Sequence, residues 1–433
     1  MKRKLTERLV AWKENKNAMP LLLMGARQTG KTYLLQEFCK SRFEKNLYIN
    51  LEESRDHASF FEDTLNPEDI LRRIEAYRGE KISIENTVIF FDEIQVSERA
   101  IASLKYFNES EKGYRIVCAG SLLGVQLNRL AASFPVGKVS LEQLFPMDFE
   151  EFLLAAGEEL LVADIRDGFE KMRPLNEALH RKALQLYRTY LCSGGMPQAI
   201  LEFIAKNRDM VLYDRSIHQN IIYAYLADMA KYTTGTQAVK TSQVYNSIPA
   251  QLAKENKKFM YKLVHDKAKK EGYESAIEWL IQSGMLLKAI RIDLPQTPLL
   301  AYQKPNFFKL YLSDVGLLTA LCKFNFGEIL LETSLIYRGV LTENYVAQTF
   351  KRAGHDLLYW ESNAQAEVDF LLNINGSIIP VEVKAADNTA SKSLQSYRER
   401  YRPDHAIRVS AKNFGFVNGI KAIPLYAVHC IGL

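Results

Sequence analysis

No stretch of the chain limits its fold as tightly as Gly25-Ala26-Arg27-Gln28-Thr29-Gly30-Lys31-Thr32. The apolar run Leu21–Leu23 precedes it, and Tyr33–Phe38 follows with apolar residues at helical spacing. Strand, glycine loop and helix in that order spell the phosphate loop G-x-x-x-x-G-K-[ST] in full. Its glycines let successive backbone N–H groups turn inward around an anion, at the positive end of the helix that follows. Lys31 is then expected to reach the β- and γ-phosphates of a nucleotide, and the Thr32 hydroxyl to ligate Mg²⁺.

A second half of such a site is expected about sixty residues on, where Thr87-Val88-Ile89-Phe90-Phe91-Asp92-Glu93-Ile94-Gln95 places two acids after a continuous apolar run. That is the pattern of a buried parallel strand delivering carboxylates at its C-terminal edge. Asp92 would hold Mg²⁺ beside Thr32, and Glu93 would polarise the attacking water. A further buried strand, Tyr114–Ser121, ends on a small polar residue. Ser121 has two readings: a γ-phosphate sensor, or a serine that caps the next helix.

These segments carry a family resemblance. Phe90-Phe91-Asp92-Glu93-Ile94-Gln95, Ala119-Gly120-Ser121 and Leu144-Phe145-Pro146-Met147-Asp148-Phe149-Glu150-Glu151-Phe152 resemble the AAA-type ATPase domain of a widespread prokaryotic family. In that family a C-terminal region of uncharacterised function follows and ends in a PD-(D/E)XK nuclease-like fold. The resemblance implies ATP as the nucleotide, since the phosphate loop alone accepts either purine. Where the family usually has Ala-Gly-Arg-Val, this chain has Val136-Gly137-Lys138-Val139. If the family arginine acts in trans, its role here falls to Lys138 or Arg129, or is absent; a lysine lacks the bidentate fork of an arginine.

At 433 residues the chain has length for two or three domains. A net charge of +5 permits a nucleic-acid partner without demanding one. Five scattered cysteines with no C-x-x-C pair, and histidines without H-E-x-x-H spacing, argue against a disulfide framework or structural zinc. The charged N-terminus lacks a signal-peptide core, and no apolar run approaches the ~18 residues of a membrane span. A cytoplasmic protein without a membrane partner is expected.

Residues 155–235 read as helices, with Gly194-Gly195-Met196-Pro197 as a tight turn before a new helix. From Val244 the order is helices, then Leu286–Ile292 and Phe307–Leu312 as paired strands, the order of a winged helix. Ahead of the strands lie Lys254, Lys257, Lys258, Lys262, Lys267, Lys269 and Lys270. Such a face either contacts DNA phosphates or is simply solvated.

Near the C-terminus, Ala366–Leu372 and Ser377–Lys384 flank Asn373-Ile374-Asn375-Gly376 as a hairpin. Asp369, Glu382 and Lys384 give the D…E-x-K spelling of metal-dependent nucleases. Strand alternation sends Glu382 and Lys384 to one face, where Asp369 can meet them. The carboxylates would bind Mg²⁺ and Lys384 would orient water against a phosphodiester; otherwise this is a hairpin with a salt bridge. Glu343, on the helix expected over 339–350, completes the resemblance to the nuclease-like fold. A basic helix over 391–398 either flanks a nucleic-acid backbone or is plain surface.

The expected architecture is α/β: a P-loop parallel-sheet ATPase domain over 1–155, a helical and winged-helix-like region over 156–325, and a restriction-endonuclease-like α/β domain over 326–433. The expected function is Mg²⁺-dependent ATP hydrolysis coupled to DNA engagement, with DNA and a second copy of the chain as candidate partners. Two alternatives stand beside it: an ATP-regulated DNA nuclease, and a nucleotide-dependent switch with an inert nuclease-like domain.

Overall fold

The computed structural model describes residues 1–121, 134–233, 235–333, 336–362, 366–384 and 392–432. Arg129 and Ser391 lie outside the described residues. The chain divides into two compact units, Lys2–Phe145 with Gln282–Gly284, and Pro146–Ile281 with Met285–Leu433.

The first unit is built on five strands: β1 (Leu21–Gly25), β2 (Lys45–Asn50), β3 (Thr87–Asp92), β4 (Arg115–Ser121) and β5 (Ser140–Gln143). They lie in the order β2-β3-β4-β1-β5, and every neighbouring pair is parallel. The apolar runs behave as strands buried on both faces should. Leu22, Ile89 and Phe91 join one core, while Leu21, Leu23, Val88 and Phe90 join the core on the opposite side. Strand alternation alone produces this division. β4 separates the strand of the phosphate loop from the strand of the two acids, and all three end at the same edge of the sheet.

The second unit begins with helices Phe149–Ala155, Glu159–Glu170, Glu177–Ser193, Pro197–Ala205, Ser216–Tyr232 and Gly235–Leu252, and continues through Lys270–Gln282. The expected hairpin follows as β6 (Leu286–Ile292) and β7 (Gln303–Leu312), with β7 longer than its apolar residues suggest. The hairpin is not free-standing. β6 pairs in parallel with β8 (Leu358–Ser362), which pairs with β9 (Ala366–Val368), giving the sheet β7-β6-β8-β9. One sheet therefore joins residues on both sides of position 325.

A second sheet, β10-β11-β12-β14-β13, is formed by β10 (Phe370–Ile374), β11 (Ser377–Val383), β12 (Ala406–Ser410), β13 (Gly415–Val417) and β14 (Ile420–Pro424). β10 and β11 make the expected hairpin around Asn375 and Gly376, both at positive φ as a two-residue turn requires. The helix Lys392–Tyr401 stands between the parallel strands β11 and β12. The continuous strand expected over 366–372 is interrupted at Asp369: β9 pairs with β8 in one sheet and β10 with β11 in the other. No helix among the described residues is long and apolar enough to cross a membrane.

Candidate functional site

The phosphate loop is shaped by its backbone. Gly25 has φ 152°, Gln28 φ 66° and Gly30 φ 91°, and the helix Lys31–Arg42 starts directly after Gly30. A Cβ on Gly25 would stand 2.3 Å from the Leu144 carbonyl oxygen, so only glycine fits there. Thr29 is fully buried and donates to the Ala26 carbonyl at 2.9 Å. The buried Lys31 ammonium donates to the carbonyls of Gly25 (3.0 Å) and Ala26 (2.8 Å), lying along the loop it belongs to. Arg3 clamps the loop from the amino end, donating to the Thr29 carbonyl at 3.0 Å and to the Phe145 carbonyl at 2.6 Å.

Across the sheet edge, Thr32 Oγ1 donates to Asp92 Oδ1 at 3.2 Å, and the Tyr48 hydroxyl donates to Asp92 Oδ2 at 2.9 Å. Burial pushes the Asp92 carboxyl above its ordinary value, and the bonds from Tyr48 and Thr32 oppose that rise. Glu93 follows in a left-handed conformation, φ 49°. Its carboxylate accepts from Gln95 Nε2 at 2.5 Å and from Ser121 Oγ at 3.3 Å. Ser121 stands in register with Gly25 on the neighbouring strand. The alternative capping reading falls on residues 122–133, which lie outside the described residues. The loop, Thr32, Asp92, Glu93 and Ser121 thus converge on the carboxyl ends of β1, β3 and β4, where open parallel sheets receive ligands. Thr32 Oγ1 and Asp92 Oδ1 stand 3.2 Å apart, oxygens of the kind that Mg²⁺ takes.

Two contributors escape a motif search. Tyr48 reads only as one residue of a strand, but β2 sets it beside β3, in register with Phe90 and two residues before Asn50, the register partner of Asp92. Arg3 reads as one of several N-terminal cations, yet it is buried against the loop. Lys138 pairs with Glu109 at 3.0 Å on the surface.

The C-terminal acids converge as well, but on ammoniums. Glu343, on the helix Ile336–Arg352, accepts from Lys309 Nζ at 3.1 Å and from the Tyr311 hydroxyl at 2.5 Å, and its second oxygen pairs with Lys257. Burial would raise the Glu343 carboxyl; Lys257 and Lys309 overcome it and hold it down at about 2. Lys309, itself buried, also meets Glu367 at 2.5 Å. Glu382 pairs with Lys384 at 2.5 Å, as strand alternation predicts. Asp369 Oδ2 accepts the Val383 N–H at 2.7 Å, and burial together with Glu343 and Glu382 pushes its carboxyl up to about 8. Among the described residues, no three His, Cys, Asp or Glu side chains form a group that could hold a metal ion.

The basic segment also departs from a uniform phosphate-facing surface. Lys257 and Lys258 are half-buried, held by Glu343 and Glu361 respectively. Lys254, Lys262, Lys267, Lys269 and Lys270 remain exposed.

Residues 17–153 match the family model described as an AAA domain. Motif, strand order and this match agree on an AAA-type P-loop ATPase domain. Residues 184–328 and 338–428 match two domains of unknown function, DUF8612 and DUF4143. No curated protein matches the chain. Among solved structures, a Walker-type ATPase of Pyrococcus abyssi is similar at 15% identity and TM-score 0.46, over 74% of this chain and 95% of that one. The Aeropyrum pernix Orc1 protein in complex with DNA is similar at 14% identity and TM-score 0.29, over 75% and 92%. Cdc6p of Pyrobaculum aerophilum follows at 10% identity and TM-score 0.27, over 77% and 96%.

Proposed function

We propose that the chain is an Mg²⁺-dependent ATP-hydrolysing protein whose nucleotide state governs engagement of DNA by its C-terminal region. The observation that carries this reading is the run of contacts Thr32–Asp92 and Glu93–Ser121 along one sheet edge beside the phosphate loop. Amides of residues 26–31 cradle the phosphates, and Lys31 exchanges its two carbonyl partners for phosphate oxygens. Thr32 and Asp92 would hold Mg²⁺, which neutralises charge on the phosphate oxygens when bound. Glu93 takes a proton from the attacking water, and Gln95 and Ser121 keep its carboxylate aimed. Ser121, at the end of the strand between the loop and the acids, would register the γ-phosphate.

The five exposed lysines between 254 and 270 support DNA engagement through phosphate contacts. A second reading, a nucleotide-dependent switch whose nuclease-like domain is inert, draws on the ammoniums that already satisfy the C-terminal acids. ATP turnover of the wild type and of Lys31→Ala, each with and without duplex DNA, tests both. Loss of turnover in Lys31→Ala with a DNA-dependent rate in the wild type supports coupling. Slow turnover indifferent to DNA favours the switch, and undiminished turnover in Lys31→Ala removes the ATPase reading.

A further inference from the structure

A buried carboxylate cluster can meet its need for positive charge with a metal ion or with the protein's own cations, and the two solutions use the oxygens differently. A divalent ion requires ionised oxygens from several carboxylates turned toward one point. At the C-terminal cluster the protein's own donors already occupy oxygens of each carboxylate. Both Glu343 oxygens accept from side chains that contribute protons, the Lys309 ammonium and Tyr311 hydroxyl on one and Lys257 on the other. Asp369 turns an oxygen to the Val383 N–H, and Glu382 turns one to Lys384.

We infer that this cluster takes no divalent metal, because the Lys309 ammonium on β7 is its resident cation. Lys309 belongs to no part of the D…E-x-K spelling. It is 1% exposed, stands 3.1 Å from Glu343 and 2.5 Å from Glu367, and lies over the Tyr359 ring at 5.1 Å. A buried ammonium is tolerated only where acceptors surround it, and removal of either side leaves an uncompensated charge. The ion pairs agree: Lys257, Lys309 and Lys384 face Glu343, Glu367 and Glu382. The domain would therefore keep the outline of a nuclease site while cleaving nothing.

This inference is independent of the P-loop reading, and its test is run on nucleotide-free full-length protein. Mn²⁺ binding is followed by electron paramagnetic resonance for wild type and Asp369→Asn, and melting temperature is followed with Mn²⁺ or EDTA for wild type and Lys309→Ala. Wild type and Asp369→Asn should bind Mn²⁺ alike. Loss of a true ligand would weaken binding by at least the ~10–100-fold that outer-shell changes cause, and that result would overturn the inference. Lys309→Ala should melt lower than wild type in EDTA and recover with Mn²⁺, which has no such effect on the wild type. A folded Lys309→Ala indifferent to Mn²⁺ would also overturn it. If that variant does not fold, the Mn²⁺ comparison of wild type with Asp369→Asn decides.

Discussion

Glu93 is held at φ 49°, a conformation that non-glycine residues seldom adopt and that is tolerated where surrounding structure enforces it. Gln95 and Ser121 both bond its carboxylate. Glu93→Gln is expected to slow turnover by about 10²–10⁴-fold, the range for loss of a general base, with nucleotide binding retained; phosphate release and a fluorescent-nucleotide titration check the two halves. Tyr48 makes a subtler forecast. Its hydroxyl is one of two side-chain donors opposing the burial that raises Asp92. Tyr48→Phe should therefore raise the Asp92 pKa further. Asp92 must be ionised to take a cation, so the acid limb of the turnover profile should move to higher pH while the rate at pH 8 changes little. An unmoved limb in a pH–rate series would count against Asp92 as the ion's partner. Lys31 and Thr32 were legible from spelling alone, whereas Tyr48 was not, because a tyrosine on a strand is ordinary until the neighbouring strand is known.

At the scale of elements, the Gly194–Gly195 turn and the N-terminus of the helix Val315–Leu321 meet at a distance only glycine allows. A Cβ on Gly195 would stand 1.9 Å from the Met147 carbonyl oxygen, and one on Gly316 would stand 2.5 Å from that of Ser193. Gly195→Ala is expected to cost about 3 kcal/mol or more, at the severe end for a single substitution; urea unfolding measures it. Asp314 ties the same junction, accepting from Gly195 N at 2.6 Å and from Leu317 N at 3.0 Å. Burial pushes its carboxyl up to about 6, against an ordinary 3.8. The folded state thus binds this proton more tightly than the unfolded chain does. The favourable contribution is complete below pH 3.8 and is lost as pH rises through about 6. Asp314→Asn should flatten that part of the stability profile, which denaturation midpoints between pH 4 and 7 will show. The turn itself, with Pro197 opening the next helix, was readable from sequence. Asp314 and Gly316, which meet it from more than a hundred residues away, were not.

For the molecule as a whole, the chain forms two compact units, each with buried apolar residues of its own, and the nucleotide is expected to bind the first. Saturating Mg²⁺ and a nonhydrolysable ATP analogue, at a hundred times the Kd, should stabilise the P-loop unit by about 2.7 kcal/mol. Calorimetry should show its transition moving upward, and Lys31→Ala should abolish the shift. The sequence by itself determined what short-range spacing encodes: the phosphate loop, the buried strands, the acids at their ends and the β10–β11 hairpin. These are legible because backbone amides, strand alternation and turn geometry act over a few residues. Only the tertiary structure decided which cations meet which acids. The D…E-x-K spelling names Asp369, Glu382 and Lys384, but Lys309 and Lys257 reach Glu343 from a different strand and a different loop. Coulomb attraction depends on distance in space, and sequence separation carries no record of it.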